Sequence, residues 1–99
     1  IAANVKKRSL QLRDGLEQIG KELEVFTRIR GRGLMLGAVL APEWRARGAE
    51  ILDASAQEGL LLLQAGADVL RFVPALNIES IDISEGLLRL RSALSRLSL

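Results

Sequence analysis

Arg71 is the residue whose type and position most clearly suggest chemistry. It interrupts the otherwise apolar segment Val69–Val73. Alternation along a strand predicts that Arg71 shares a face with Val69 and Val73, opposite Leu70 and Phe72. Because an unpaired charge is costly to bury, the guanidinium must face solvent or meet an anion, and its planar fork suits a carboxylate. Two interpretations stay open from the residues alone. Arg71 is either an edge-strand arginine, solvated or paired within the domain, or it binds a carboxylate-bearing ligand.

A basic cluster consists of Arg28, Arg30 and Arg32. It overlaps the segment 30–33, which reads Arg-Gly-Arg-Gly. A phosphate-binding P-loop would carry a Lys-Ser/Thr pair at the start of a helix, whereas an apolar segment follows here. RNA-binding modules usually stack bases on aromatic side chains, and the three aromatic residues of this chain are scattered. We interpret the segment as a hairpin turn, since glycine is the usual residue of tight turns. A small RNA-binding module that uses the three arginines remains an alternative.

Catalytic groups are scarce in the sequence. There is no cysteine and no histidine, which removes thiolates, imidazole bases and the commonest metal ligands. The three lysines, Lys6, Lys7 and Lys21, fall on the charged face of the first predicted helix. None occupies an apolar niche that would lower its pKa for Schiff-base chemistry. We therefore expect no catalytic, cofactor-binding or metal-binding residue within this chain.

Length and composition indicate one globular domain spanning residues 1–99. Hydrophobic residues make up 48% of the chain and charged residues 26%, and the net charge is +2. Basic and acidic residues alternate along the sequence, so no extended basic face for a polyanion is expected. No apolar run approaches the roughly 20 residues that span a bilayer. These features predict a cytoplasmic protein with neither nucleic acid nor membrane as a partner.

The first half of the chain predicts a helix followed by a hairpin. Apolar residues recur at helical spacing over residues 3–23. Period-two alternation over residues 25–30 predicts a strand with Val25, Thr27 and Ile29 on one face. Phe26, Arg28 and Arg30 are predicted on the other face. A turn at residues 31–33 leads into a near-continuous apolar run at 34–40, which predicts a strand covered on both faces.

The second half predicts a helix, two short strands and a last helix. The first of these helices spans residues 43–58, with Ala49, Leu52 and Ala56 inward and Gly59 as its C-terminal cap. A short buried strand is predicted at 60–63 and another strand at 69–73. Ser80 is the predicted N-cap of the last helix, whose apolar stripe is Ile83, Leu87, Leu90, Leu94 and Leu97. Short connections favour antiparallel pairing. The predicted fold class is α+β, as a two-layer α/β arrangement: a small, mostly antiparallel sheet of three to four strands with helices packed on one face.

Three segments carry a resemblance to a known family. Residues 29–37, IRGRGLMLG, resemble the RGxGLMxG hairpin of class III pyridoxal-phosphate-dependent aminotransferases. Residues 68–78, DVLRFVPALNI, are similar to their RFxPxLxI segment, and residues 83–87, ISEGL, to their IDEGL, with Ser84 where aspartate is usual. Glu43-Trp44 and Leu63-Gln64-Ala65 resemble the acetylornithine/succinylornithine branch. The likeness extends over nearly the whole chain.

The resemblance implies a C-terminal small domain of a larger enzyme with an aminotransferase small-domain-like fold. The family transfers an amino group from N-acetylornithine or N-succinylornithine to 2-oxoglutarate, in arginine metabolism. Arg71 matches the arginine that holds the substrate carboxylate. Pyridoxal phosphate, its Schiff-base lysine and its phosphate-binding residues belong to a large domain of the same chain, and the full-length enzyme is a homodimer that acts on small amino and oxo acids. The fragment alone is therefore expected to be inactive and to bind no cofactor. An amino-acid-sensing regulatory module that uses Arg71 is a further alternative.

Overall fold

The computed structural model describes residues 2–60, 62–74 and 77–97. The predicted order of helix, hairpin, helix, two strands and helix is confirmed. The elements are α1 (Ala2–Leu23), β1 (Phe26–Arg32), β2 (Met35–Leu40), a 3₁₀ helix (Pro42–Arg47), α2 (Gly48–Gln57), β3 (Leu63–Gln64), β4 (Val69–Phe72) and α3 (Ser80–Arg96). The strand predicted at 60–63 corresponds to β3, which lies later in the chain, and Leu61 falls outside the described residues. Both residues of β3 are exposed, so the prediction of a buried strand is wrong.

The four strands form one antiparallel sheet in the order β1-β2-β4-β3. Side chains from all three helices and from the sheet meet in one apolar cluster, so the helices cover the same face of the sheet. This arrangement confirms the predicted α+β class, the antiparallel sheet and the one-sided packing of the helices. Fully buried members of the cluster include Leu16, Ile19, Leu36, Leu40, Ile51, Leu70, Leu90 and Leu94.

Strand β2 is covered on one face only, so the prediction of two covered faces is wrong. Leu36, Ala38 and Leu40 point into the core and are 0% exposed. Met35, on the other side, is 61% exposed. Alternate side chains of a strand point to opposite faces of the sheet. Because the helices pack on one face, the side chains on the other face are not covered by them. The apolar run at 34–40 therefore places Met35 and the half-buried Val39 on the side away from the helices.

A β-bulge near the start of β1 corrects the predicted alternation. The pairing steps from Phe26 opposite Leu40 directly to Arg28 opposite Val39, so β1 carries one extra residue at this point. An extra residue reverses the face of the sheet to which the side chains on one side of the bulge point. Phe26 and Ile29 consequently both point into the core, with 9% and 8% exposure, although the sequence places them on opposite faces.

Helix α2 turns a different face to the core than the sequence predicts. Its buried residues are Gly48, Ile51, Ala54 and Ser55, whereas the predicted inward residues Ala49 and Ala56 are exposed. The segment before it is a 3₁₀ helix with about three residues per turn, which shifts the phase of the following α-helix. Gly59 ends α2 as predicted. Its φ is +82°, and the amide of Leu60 donates to the carbonyl oxygen of Ser55 at 2.8 Å.

The N-cap of helix α3 lies one residue earlier in the sequence than predicted. Glu79 is the N-cap, and its backbone N–H donates to Asp82 Oδ2 at 3.2 Å, while Ser80 is the first helical residue. The predicted apolar stripe is confirmed. Its members Ile83, Leu90 and Leu94 are buried, and Leu87 and Leu97 pack at its margin.

Helix α1 lies across the helical side of the sheet, with Leu12, Leu16 and Ile19 in the core. Its three lysines are exposed. Within residues 2–60, 62–74 and 77–97, no helix combines the length and apolar character needed to cross a membrane.

Arg13 of α1 fastens that helix to the outer edge of β1. Its guanidinium donates to the carbonyl oxygens of Ile29 at 2.9 Å and Gly31 at 2.7 Å. We expect Arg13→Ala to lower the free energy of unfolding by about 1–2 kcal/mol, because both bonds come from a charged donor that is partly buried. Urea denaturation of the 99-residue chain measures the change. Arg45→Ala is the matched control, since Arg45 is exposed and has no polar partner among the residues described. An equal loss in the two variants would contradict a role of Arg13 at the strand edge.

Candidate functional site

Arg71 lies in the interior of the sheet, on the face away from the helices. Strand β4 pairs with β2 on one side and β3 on the other, and Arg71 is opposite Gly37 and Leu63. Leu70 and Phe72 point into the core with 0% and 7% exposure, whereas Arg71 is exposed. The predicted orientation of Arg71 is thereby confirmed. A strand flanks β4 on each side, so the prediction of an edge position is wrong, whereas the prediction that the guanidinium faces solvent is confirmed.

The guanidinium of Arg71 has no carboxylate partner among the described residues. Four other arginines form ion pairs within the fold: Arg47–Glu50 at 3.1 Å, Arg89–Glu85 at 2.6 Å, Arg96–Glu58 at 3.2 Å, and Arg91–Glu22. The pKa of the Glu22 carboxyl is lowered by hydrogen bonds from Gln18 and Arg91, and that of Glu50 by a hydrogen bond from Arg47. An internal ion pair therefore does not account for the charge at position 71.

The face around Arg71, here called the open face, is both basic and apolar. Pairing and alternation assign to it Arg28, Arg30, Arg32, Met35, Gly37, Val39, Leu63, Val69 and Arg71. Met35 and Leu63 are 61% and 62% exposed. None of the four arginines forms an ion pair within the described parts of the chain. Such a surface suits a carboxylate-bearing ligand with an apolar body, or a complementary protein surface.

Gly37 allows neighbouring side chains to pack closely over the middle of the open face. A Cβ atom at this position would lie 3.1 Å from Val69 Cγ1, 3.8 Å from Arg30 Cγ and 4.0 Å from Arg30 Nε. The aliphatic part of the Arg30 side chain therefore lies over the backbone of β2 at Gly37. A glycine inside a strand often marks such a close approach. The sequence contained this signal at position 37, but the apolar run around it predicted only a buried strand.

The open face offers no platform for stacking nucleic-acid bases. All three aromatic residues are in the core, where Phe26 is 9% exposed, Phe72 7% and Trp44 3%. Trp44 is further covered by Arg47, whose Cζ lies 4.6 Å from the ring centroid. Single-stranded RNA recognition depends largely on exposed aromatic rings. The arrangement of the aromatic residues therefore argues against the RNA-binding alternative.

The lysines do not come together with Arg71. Lys6, Lys7 and Lys21 are all exposed residues of α1, which packs on the opposite side of the sheet. A Schiff base to a pyridoxal-type cofactor needs a lysine at the substrate, and the described residues of this chain place none beside Arg71. The three lysines and Arg71 therefore lie on opposite sides of the sheet.

Comparison with known proteins yields a consistent set of similarities. The family Aminotransferase class-III matches residues 1–94. The chain is 58% identical over 95 residues to an acetylornithine aminotransferase from Xylella fastidiosa (strain Temecula1 / ATCC 700964), covering 95% of this chain and 23% of that protein. It is 59% identical over 93 residues to the acetylornithine aminotransferase of Xanthomonas axonopodis pv. citri (strain 306), covering 94% of this chain and 23% of that protein.

A solved structure agrees with these sequence matches. The crystal structure of N-acetylornithine aminotransferase from Stenotrophomonas maltophilia K279a superimposes with a TM-score of 0.93 and 54% identity, covering 97% of this chain and 26% of that one. The chain thus spans about a quarter of the length of the relatives that it matches.

Proposed function

The chain belongs to the class III aminotransferase family, and on this premise we propose that it is the C-terminal small domain of a pyridoxal-phosphate-dependent aminotransferase. The enzyme exchanges an amino group between N-acetylornithine or N-succinylornithine and 2-oxoglutarate, in arginine metabolism. One observation carries the proposal beyond family membership: Arg71 stands on the open face in the interior of the sheet, and no described carboxylate neutralises it. The full-length protein is a cytoplasmic homodimer in this proposal.

Arg71 holds the α-carboxylate of each substrate in turn. Its two outer nitrogens present parallel N–H groups, which match the two oxygens of a carboxylate. Pairing on both sides fixes the backbone at Arg71, and Leu70 and Phe72 anchor it from the core side. Holding the carboxylate restricts rotation of the substrate. The Cα–H bond of the substrate therefore keeps one orientation in the site. Substrates of different length are accommodated because both carry the same anchoring group.

Pyridoxal phosphate supplies the electron-withdrawing ring of the reaction and is held by the large domain of the same polypeptide. The placement of all three lysines across the sheet from Arg71 supports this division. Val39, Met35 and Leu63 give the open face an apolar component, which suits contact with another folded surface. The small domain thereby provides one wall of a cleft and the large domain the other.

A transamination assay tests the proposed function. We expect the purified full-length protein, supplied with pyridoxal phosphate, to form glutamate from 2-oxoglutarate when N-acetylornithine or N-succinylornithine is the amino donor. The 99-residue chain under the same conditions is expected to form no glutamate above the protein-free blank, since no Schiff-base lysine accompanies Arg71. Failure of the full-length protein to form glutamate with either donor would overturn the proposal. Glutamate formation by the isolated chain would contradict the division of roles between the domains.

A further inference from the structure

The cross-strand neighbours of Arg71 differ on its two sides. On the β2 side the neighbour is Gly37, and on the β3 side it is Leu63. The space over Gly37 is filled, because Val69 Cγ1 lies 3.1 Å and Arg30 Cγ 3.8 Å from the position that a Cβ atom would occupy. Arg30 is also positively charged, so it repels a guanidinium that leans toward it. The free side of Arg71 is therefore the side of β3.

Leu63 lies on that free side of Arg71. Directly opposed residues of an antiparallel pair have Cβ atoms about 4.5–5.5 Å apart, so their side chains can touch. Strand β3 is two residues long and forms one border of the sheet, and no further strand of the described sheet lies beyond it. The Leu63 side chain is 62% exposed. It therefore offers an apolar surface along which the methylene groups of Arg71 can lie while the guanidinium stays outside.

An apolar neighbour strengthens an ion pair by keeping water away from it. The attraction between two charges grows as the local dielectric constant falls, and dissolved salt screens exposed pairs more than covered ones. Arg71 is exposed, so a carboxylate that it binds meets solvent wherever no side chain covers the contact. Leu63 covers this contact on the side of the sheet border. Without its side chain, that side is open to water and to counter-ions.

We propose that Leu63 is a positioning residue of the carboxylate site, which supports the side chain of Arg71 and shields the bound carboxylate from water. The inference rests on the proposed function and deepens it, because it names the residue that keeps Arg71 in its binding position. Leu63 acts on the α-carboxylate that both substrates share, so it affects the amino donor and 2-oxoglutarate alike. It acts through Arg71 and not on the reacting bond.

Steady-state kinetics of the full-length protein with Leu63→Ala test this role. We expect KM to rise about three- to tenfold for both substrates, while kcat changes less than about twofold, since ground state and transition state lose the same contact. We also expect KM to rise more steeply with KCl concentration than in the unchanged protein, because the ion pair is then open to screening. A purely structural role of Leu63 would leave this salt dependence unaltered.

Two further substitutions at the same position separate apolar character from size. Leu63→Met keeps an apolar side chain of similar volume, and we expect it to retain both the KM values and their salt dependence. Leu63→Asn keeps the approximate shape but is polar, and we expect it to resemble Leu63→Ala.

Leu88→Ala is the matched control for position. Leu88 is 66% exposed, but it belongs to α3, which packs on the opposite side of the sheet from Arg71. The same exchange there removes an equally exposed apolar side chain far from the carboxylate contact. We expect it to change neither the KM values nor their salt dependence.

The outcomes separate this proposal from the proposed function. Arg71→Gln is expected to raise KM for both substrates. If it does and Leu63→Ala leaves KM unchanged, the carboxylate anchor stands and the role of Leu63 is overturned. An unaltered salt dependence in Leu63→Ala, unchanged kinetics in Leu63→Asn, or an equal rise in KM in Leu88→Ala would also overturn that role. If Arg71→Gln leaves both KM values unchanged, the anchor of the proposed function is itself wrong.

Discussion

Arg71→Lys in the full-length protein is expected to lower kcat/KM for both the amino donor and 2-oxoglutarate by about a hundredfold. The change preserves the positive charge and removes the planar fork, so it isolates the geometry of the carboxylate contact. Loss of one charge-assisted bond and misalignment of the other account for about 3 kcal/mol of transition-state stabilisation. Steady-state kinetics with each substrate varied in turn measures the effect, and we expect KM to rise for both.

The fold itself is expected to tolerate Arg71→Lys, because Arg71 is exposed and has no partner in the described fold. Arg28→Lys serves as the control. It makes the same exchange on the same face of the sheet, but Arg28 lies on β1 opposite Val39 and not on β4. A fall confined to one of the two substrates would exclude Arg71 as the common carboxylate anchor. Unchanged kinetics would remove it from the site altogether.

Gly31→Ala is expected to destabilise the chain by more than about 3 kcal/mol. The φ of Gly31 is +114°, a region that L-residues with side chains rarely adopt. An added Cβ would also overlap the carbonyl oxygen of Met35 and lie 3.1 Å from Leu36 Cα. Both obstacles are backbone atoms of the partner strand, which cannot rotate away, so backbone strain and steric overlap add. Urea denaturation of the 99-residue chain measures the loss.

Gly66→Ala separates the two contributions to that loss. Gly66 has a φ of +78°, and nothing lies within 4 Å of the position of its Cβ. We expect it to cost about 1 kcal/mol, from backbone strain alone. If Gly31→Ala and Gly66→Ala destabilise equally, the hairpin accommodates the extra methyl group and the geometry described for Gly31 is wrong.

The sequence predicted the layer architecture because the amphipathic periods are strong. The stripe of Ile83, Leu90 and Leu94 indicates a helix wherever its partner lies, and Gly59 marks a helix end by its own conformational freedom. The position of Arg71 followed from alternation around Leu70 and Phe72, both of which are buried. Each of these features depends on residues close together in the sequence, so the sequence alone predicts it.

The features that the sequence did not predict depend on pairing between distant segments. The bulge that turns Phe26 and Ile29 to the same face is visible only in the register of β1 against β2. Whether Met35 and Val39 are covered depends on where three helices pack, and the apolar run itself is compatible with either outcome. The alignment of Arg30, Gly37 and Arg71 across three neighbouring strands follows from the strand order, which places β4 beside β2 and cannot be read from the sequence.

The contacts of Arg13 and Ser9 have a consequence for how copies of this chain can associate. Arg13 occupies the outward carbonyls of Ile29 and Gly31, and the Ser9 hydroxyl donates to the carbonyl of Gly33. An incoming strand therefore finds these acceptors already engaged at one border of the sheet, and at the other border β3 offers only two residues. Lateral growth by strand addition, the usual beginning of amyloid, is blocked on one side and poorly templated on the other.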